Sequence, residues 1–465
     1  MRKNVSSLLL ILFLCTQAVC GQAKYVFYFI GDGMGVNQIN ATEVYLSAIK
    51  GGGRGSASLL FTSFPSASFV TTYSANSDVT DSAASGTALA TGTKTNNGFL
   101  GITPDNEPLE TIAEKAKKAG KKVGIASTVP VNHATPAAFY GHQKDRSMYY
   151  EISQDLIKSG FDFFGGASFY NRDVKYDGTK VPDIFPLIEQ AGYKLAKGYA
   201  DYKADGGKSA KLILLPEKWD TPDAIPYAID RRDNDLTLKQ ITEAAIETLM
   251  KDNKKGFFVM LEGGRIDWGA HGNDAATAIR EIIDFDEAIA VAYEFYKKHP
   301  KETLIVITAD HDTGGITVGR GSLNISYLQY QKQSQDELTK ALADMVKSKN
   351  GKASWEDVKK LLGERMGLWK NVPVNWENEK ILRDAYESTI ARNKEITDEN
   401  LYSTNSLMAA KAKEVLNSVA RLAWGTGSHS GGYVPVFAIG VGQEYFTHKI
   451  DNTDIPKIIE KVARY

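Results

Sequence analysis

The strongest constraint on this chain is a series of short apolar runs: YVFYFI at 25, KVGIAS at 122, KLILLP at 211, FFVML at 257, TLIVIT at 303 and VPVFAIG at 434. Each is too short for a typical helix and lacks the polar alternation of a half-exposed strand, so each reads as a strand buried on both faces. Between them, LETIAEKAKKAG and AATAIREIIDFDEAIAVAYEFYKK carry helical spacing. The alternation predicts an α/β fold, a three-layer sandwich with a central, mostly parallel sheet and helices on both faces. From 318 to 424 the pattern changes to helices announced by Ser caps, Ser334 with Glu337 and Ser354 with Asp357. We expect one crown-like or lid-like helical insertion there, controlling access rather than chemistry, within a catalytic domain spanning 21–465.

The first residues, Met1-Arg2-Lys3 followed by LLLILFL and AVCGQA, have the three parts of a secretory signal peptide, predicted over 1–20, with a periplasmic or secreted product. Its apolar core is shorter than the roughly 20 residues needed to span a bilayer, and no later segment supplies them. The TQAV before Cys20 lacks the aliphatic residue of a lipoprotein signal, so no lipid anchor is expected. Cys15 and Cys20 both lie in this leader, leaving the mature domain without a disulfide. A chain of this size can bury enough core to manage without one. A net charge of -1 gives no bias toward polyanions, so nucleic acid is not an expected partner. KKAGKK at 117–122 reads as a solvated helix end, and GGGRG at 51 as a flexible loop lacking the Lys-Ser/Thr ending of a phosphate loop.

Three predicted strands run directly into metal-type ligands: Asp32, Glu262, and the pair Asp310 and His311. Functional groups collect at the carboxyl ends of strands in such sheets. Asp267 and His271 are four residues apart, on one face if their stretch is helical. His429 sits in GTGSHSGG, with little apolar surface to pack on, whereas His299 and His448 have polar neighbours and read as exposed. Zinc favours imidazole and carboxylate. Asp267, His271 and His429 would fill one zinc site, and Asp32, Asp310 and His311 another. Glu262, Thr135 and the second oxygen of Asp32 form an oxygen-rich set suited to magnesium. Neighbouring divalent ions suit phosphoryl transfer. The stretch VTDSAASGTALATG at 79–92 could either pack a crowded helix or let a phosphate approach its backbone.

IGDGMG, VTDSAASGT, HATPAA, EGGRIDWGAH, TADHDTGG and GSHSGG occur in the order found in alkaline phosphatases, and the chain resembles that family over nearly its whole mature length. The resemblance implies hydrolysis of small phosphate monoesters at alkaline pH, with two zinc ions and one magnesium per chain. It also implies that Ser82 is the nucleophile, a metal ligand and the carrier of a phosphoserine, and that Arg146 in GHQKDRSMYY holds two phosphate oxygens. A Ser at the start of a helix suits this role, because helix N-termini attract phosphate. Arginine's planar fork suits two oxygens at once. Where several family members carry Asp and Lys, this chain has His133 and Trp268. Trp268 is therefore expected beside the phosphate, and His133 either ligates the third metal or orients its water. Monomer and homodimer both stay open. The alternatives are a phosphodiesterase-like or sulfatase-like hydrolase, which would carry Thr or an oxidised Cys at 82, and a phosphate-binding protein without turnover.

Overall fold

All six apolar runs lie in one sheet. The structure, a computed structural model, describes residues 21–51, 55, 57–204, 209–218, 224–319 and 321–465. The expected signal peptide and most of the GGGRG stretch lie outside them. In chain order the sheet strands are β1 (Tyr25–Gly31), β2 (Ser66–Thr71), β3 (Lys122–Pro130), β4 (Phe163–Ala167), β5 (Lys194–Lys197), β6 (Leu212–Leu215), β7 (Phe257–Gly263), β8 (Thr303–Thr308), β9 (Val434–Gly440) and β10 (Ile450–Asp451). They are arranged β10-β2-β9-β8-β1-β7-β3-β4-β6-β5. Only β9 runs antiparallel to its neighbours, β8 and β2, so the sheet is mostly parallel as expected. Helices 238–250 and 275–298 cover one face, and helices 82–91, 112–118 and 454–463 the other. With both faces covered, β1, β7 and β8 are buried at every residue, which is why they read as unbroken apolar runs.

Four strands carried no comparable signal. β2 lies toward one side of the sheet and is partly exposed, and β5 and β10 are short edge strands. β4 is FFGGA, where a Cβ on Gly165 would come within 2.8 Å of Ile241 on the overlying helix, so glycine is needed for that helix to approach. The helix expected at 109–120 is the segment Ile112–Lys118, started by a reciprocal cap between Thr111 and Glu114. The long helix Ala275–Lys298 starts where Asp274 accepts from the Thr277 amide.

Two polar assignments need correction. Lys121 in KKAGKK is not solvated: Gly120 (φ +79°) turns the chain straight into β3, tucking Lys121 to 7% exposure with Nζ donating to the Lys24 carbonyl at 3.2 Å. Burial, with Lys24 nearby, pulls its pKa down to about 8. His299 is half-buried, its ring packed 4.6 Å from that of Phe295, whereas His448 is exposed.

Residues 318–424 leave and rejoin the core through one short ladder, in which Thr317–Val318 pairs with Leu422–Ala423. Between these lie helices 335–348, 355–366, 376–388 and 407–420 and a hairpin of Thr397–Glu399 with Thr404–Ser406. Ser334 and Ser354 cap their helices by accepting from the amides of Glu337 and Asp357, as expected. The segment has its own apolar cluster, with Leu338, Leu362 and Leu416 packed together with Tyr45 and Ile279 of two core helices. Each fully buried Leu contributes about 1.5–3 kcal/mol, which holds the segment against the core. Among the described residues no helix is long and apolar enough to cross a membrane.

Candidate functional site

The register of the central strands builds the site. Ile30 of β1 is level with Glu262 of β7 and with Thr308 of β8, so Asp32, Glu262, Asp310 and His311 emerge together at the carboxyl edge, all fully buried. The chain then turns from β7 into a helix, Arg265–His271, which places Asp267 and His271 on one face with 3.4 Å between Oδ1 and Nε2. His429 arrives on a short ladder in which His429–Ser430 pairs with Asp312–Thr313. Its ring stacks on His311 at 3.7 Å, and its Nε2 is 3.8 Å from Asp267 Oδ1. Among the described residues, two sets each bring their metal-type atoms within 4.8 Å of one another: Asp32, Asp310 and His311, and Asp267, His311 and His429. His311 therefore stands between the two expected zinc sets, with His271 beside the second at 5.0 Å from the His429 ring.

The hydrogen-bond inventory tests whether these residues suit metal. Both carboxylate oxygens of Asp32, one each of Glu262, Asp267 and Asp310, the Thr135 hydroxyl, and Nε2 of His271 and His429 are buried without a partner. Such atoms are costly unless something coordinates them. His271 and His429 place Nδ1 at 2.7 Å and 2.9 Å from the carbonyls of Gly427 and Thr80. A carbonyl only accepts, so each Nδ1 carries the proton and each Nε2 turns a lone pair to the cluster. For His311, the Thr313 hydroxyl donates to Asp267 Oδ1 at 2.5 Å, so it accepts from His311 Nδ1 at 3.1 Å. All three imidazoles thus turn an unprotonated Nε2 to the cluster. Burial, then repulsion among Asp310, Asp267 and Glu262, pushes the Asp32 carboxyl well above the usual range. Burial also raises Glu262 and Asp310 and keeps His311 neutral. Four carboxylates and three imidazoles fit divalent cations such as zinc, while Thr135 and Glu262 offer oxygens to a harder ion.

Ser82 is the first residue of the helix Ser82–Thr91, fully buried, with Oγ 3.2 Å from the unprotonated Nε2 of His311. Asp81 caps that helix, accepting from the Ala84 amide at 2.9 Å through one oxygen and from Arg146 at 3.1 Å through the other. Of the two roles its sequence allowed, the small-residue stretch packs a crowded helix. A Cβ on Gly86 would stand 3.0 Å from Ala138 Cβ, so small side chains let the helix Ala134–Ala137, with Thr135, pack beside the serine. His133, immediately before that helix, has Nε2 3.4 Å from an Arg146 nitrogen and its ring 6.0 Å from Trp268. Every predicted site residue converges on this edge.

Three contributors were not anticipated. Thr313 and Ser127 orient residues of the cluster, Ser127 by donating to Glu262; Ser127 lies three residues before the end of β3 and Thr313 five after the end of β8, the one signal that could have flagged them. Tyr402, in the segment expected to add nothing to the chemistry, stacks on Trp268 at 4.5 Å and 12° and lies 5.3 Å from His271. A single Tyr in a polar hairpin carries no sequence signal.

Gly33 gives a direct test of this packing. It has φ +69°, and an added Cβ would meet Asp267 Oδ1 and Thr313 Oγ1 at 2.8 Å. Gly33→Ala is expected to cost about 1–2 kcal/mol from the left-handed backbone alone. It should also weaken divalent-metal binding by displacing Asp267. Thermal melts with metal titration check both; unchanged metal affinity would show that Asp267 is not held by this contact.

Comparison with known proteins agrees with this geometry. The family model described as alkaline phosphatase matches residues 23–465. Alkaline phosphatase 4 of Bacillus subtilis (strain 168) is 33% identical over 457 residues, covering 95% of this chain and 89% of its own. The structure of a cold-active alkaline phosphatase from the psychrophile Shewanella sp. matches with a TM-score of 0.78 at 27% identity, covering 94% of this chain and 99% of that one. A His-to-Asp variant of alkaline phosphatase TAB5, solved with Mg bound in its M3 site, matches with a TM-score of 0.65 at 26% identity, covering 96% and 99%.

Proposed function

The chain belongs to the alkaline phosphatase family and is a metal-dependent phosphate monoester hydrolase; we propose that Ser82 is its nucleophile and Arg146 its phosphate clamp. The observation that carries this reading is the buried Ser82 Oγ at a helix N-terminus, 3.2 Å from His311 and at the edge of the carboxylate–imidazole cluster. In this reading Asp267, His271 and His429 hold one zinc, and Asp32, Asp310 and His311 hold the other with Ser82. Glu262, Thr135 and Asp32 hold magnesium, with His133 at that site. Bound divalent ions supply charge stabilisation and lower the pKa of oxygen nucleophiles. Ser82 Oγ gives up its proton and bonds to phosphorus as the ester P–O bond breaks and the alcohol leaves with a proton; water then cleaves the phosphoserine, releasing phosphate and restoring the Ser82 hydroxyl. Arg146 pairs with two phosphoryl oxygens, while the amides at the start of the serine helix face the same anion. A leader at 1–20 that exports a 21–465 catalytic domain and a 318–424 lid complete the reading, which leaves monomer and homodimer both open.

Turnover of p-nitrophenyl phosphate and its bis ester, with and without chelator and added zinc and magnesium, tests it. The monoester is expected to be the better substrate, chelator to abolish turnover, and the metals to restore it. A preference for the diester would favour the phosphodiesterase alternative, and chelator-resistant turnover would overturn the metal assignment.

Trp268 and His133 should tune product affinity. Trp268 is 8% exposed, with its indole N–H unpartnered. Trp268→Lys would bring a positive charge toward the phosphate and is expected to tighten phosphate inhibition about tenfold, or about 1.4 kcal/mol. It should also slow turnover if product release is limiting. Trp268→Phe, which keeps a ring against Tyr402, separates charge from packing. His133→Asp is expected to raise magnesium occupancy. The TAB5 variant, in which Asp replaces His and Mg occupies the M3 site, supports that direction. Phosphate inhibition constants and metal analysis across these variants check both expectations; unchanged phosphate affinity in Trp268→Lys would place residue 268 outside the phosphate pocket.

A further inference from the structure

We propose that Tyr402, carried into the site by the inserted segment, is a positioning residue that aims the Arg146 guanidinium at the phosphoryl oxygens. The inference rests on the reading of Arg146 as the phosphate clamp.

The segment is built to deliver this side chain. The hairpin of Thr397–Glu399 with Thr404–Ser406 closes at the pair Glu399 and Thr404, leaving residues 400–403 as its tip. Asn400 locks the tip: its Oδ1 accepts from the amides of Tyr402 and Ser403 at 2.9 Å, and its Nδ2 donates to Ser403 Oγ at 2.9 Å. Asn405 ties the tip to the neighbouring helix, donating to Ser403 Oγ at 2.8 Å and to Asp336 at 3.0 Å. The tip residue Leu401 points outward, 62% exposed. Tyr402 instead lays its ring flat on Trp268, 5.9 Å from His133.

Its hydroxyl is buried and makes no hydrogen bond of good geometry, which is expensive for a phenol away from water. Arg146 belongs to the same cluster: His133, whose ring is 5.9 Å from that of Tyr402, has Nε2 3.4 Å from an Arg146 nitrogen, and the guanidinium charge acts favourably on the phenol. Arg146 is otherwise held by Asp81 at 3.1 Å and His133 at 3.4 Å, both from the core. Tyr402 brings a polar group of the insertion into this cluster. A hydrogen bond from the guanidinium to the phenol oxygen would satisfy that buried hydroxyl and hold the fork from the insertion as well as from the core. The face-to-face stack on Trp268 fixes the ring, and so the height of that oxygen.

Tyr402→Phe keeps the stack and removes only the oxygen. The inhibition constant of inorganic phosphate and kcat/KM for p-nitrophenyl phosphate are measured in the metal-loaded parent, Tyr402→Phe, Arg146→Ala and the double variant. Tyr402→Phe is expected to weaken phosphate binding about three- to tenfold, the scale of one net hydrogen bond acting through Arg146. In the Arg146→Ala background the same change should have less than about a twofold effect, because residues acting through one group are not additive. Equal effects in both backgrounds, no effect in the parent, or loss of bound metal in Tyr402→Phe would each overturn the proposal. Unchanged phosphate affinity in Arg146→Ala would instead refute the clamp assignment beneath it, so the two failures are distinguishable.

Discussion

Ser82→Ala is expected to abolish acid-stable labelling by radioactive phosphate and to lower kcat by at least about 10³-fold, the scale on which loss of an activated nucleophile is felt. The side chain is fully buried, touches His311 Nε2 at 3.2 Å, and lies at the start of a helix whose cap is supplied by Asp81. Removing the hydroxyl leaves that cap and the Asp81–Arg146 pair untouched. Alanine is also a better helix former than serine, so the fold should not suffer. The two metal sets keep their carboxylate and imidazole atoms, and bound metal should stay close to the parent's. Loss of turnover with retained metal and retained melting temperature is therefore the expected pattern. A labelled Ala variant would rule out Ser82 as the phosphorylated residue, and a variant that lost its metal would show that the hydroxyl is needed to hold the site together.

Stripping the metals should reverse the way stability depends on pH. Burial and mutual repulsion raise the carboxyl pKa values of Asp32, Glu262 and Asp310 in the folded chain, Glu262 to about 8, against about 4 in the unfolded chain. Below about pH 4 these groups are neutral in both states and impose no penalty. As pH rises from there, the unfolded chain releases its protons first, so the folded state loses stability until the raised values are passed. With divalent ions bound the same carboxylates are paired, and deprotonation strengthens metal binding instead. Between pH 5 and 8 the melting temperature of the stripped protein is expected to fall relative to the loaded one by on the order of 10 °C. Differential scanning calorimetry of both forms across that range checks it. Parallel pH profiles would show that the carboxylate cluster is not what the metal neutralises.

Much of this was legible in the sequence, and for a local reason. A strand covered on both faces must be apolar throughout, so β1, β3, β6, β7, β8 and β9 announced themselves. The acids and imidazole that cluster follow directly on strand ends, where a parallel sheet gathers chemistry, so the meeting of Asp32, Glu262, Asp310 and His311 could be expected before any fold was known. Caps are also local: Ser334 and Ser354 each sit three residues before the amide they accept from, and at Ser354 the Asp357 carboxylate completes the cap. The serine motif was marked by its small residues, whose need is visible in the contact between Gly86 and Ala138.

Other features depended on where distant segments meet. His311 stands between the two metal sets because the 429–430 ladder stacks His429 on it, a contact spanning more than 100 residues that no spacing encodes. Thr313 serves Asp267 and His311 together only because β7 and β8 flank β1 in register. Lys121, read as solvated, is buried by the turn into β3, since a charge run says nothing of what packs over it. Tyr402 reaches Trp268 because the inserted helices bury their own apolar cluster against core helices, which fixes where the hairpin tip falls. Periodicity, caps and strand-end chemistry are short-range properties and can be read from the chain alone; sheet register and the docking of one apolar surface on another are long-range, and they decided which of these groups share a site.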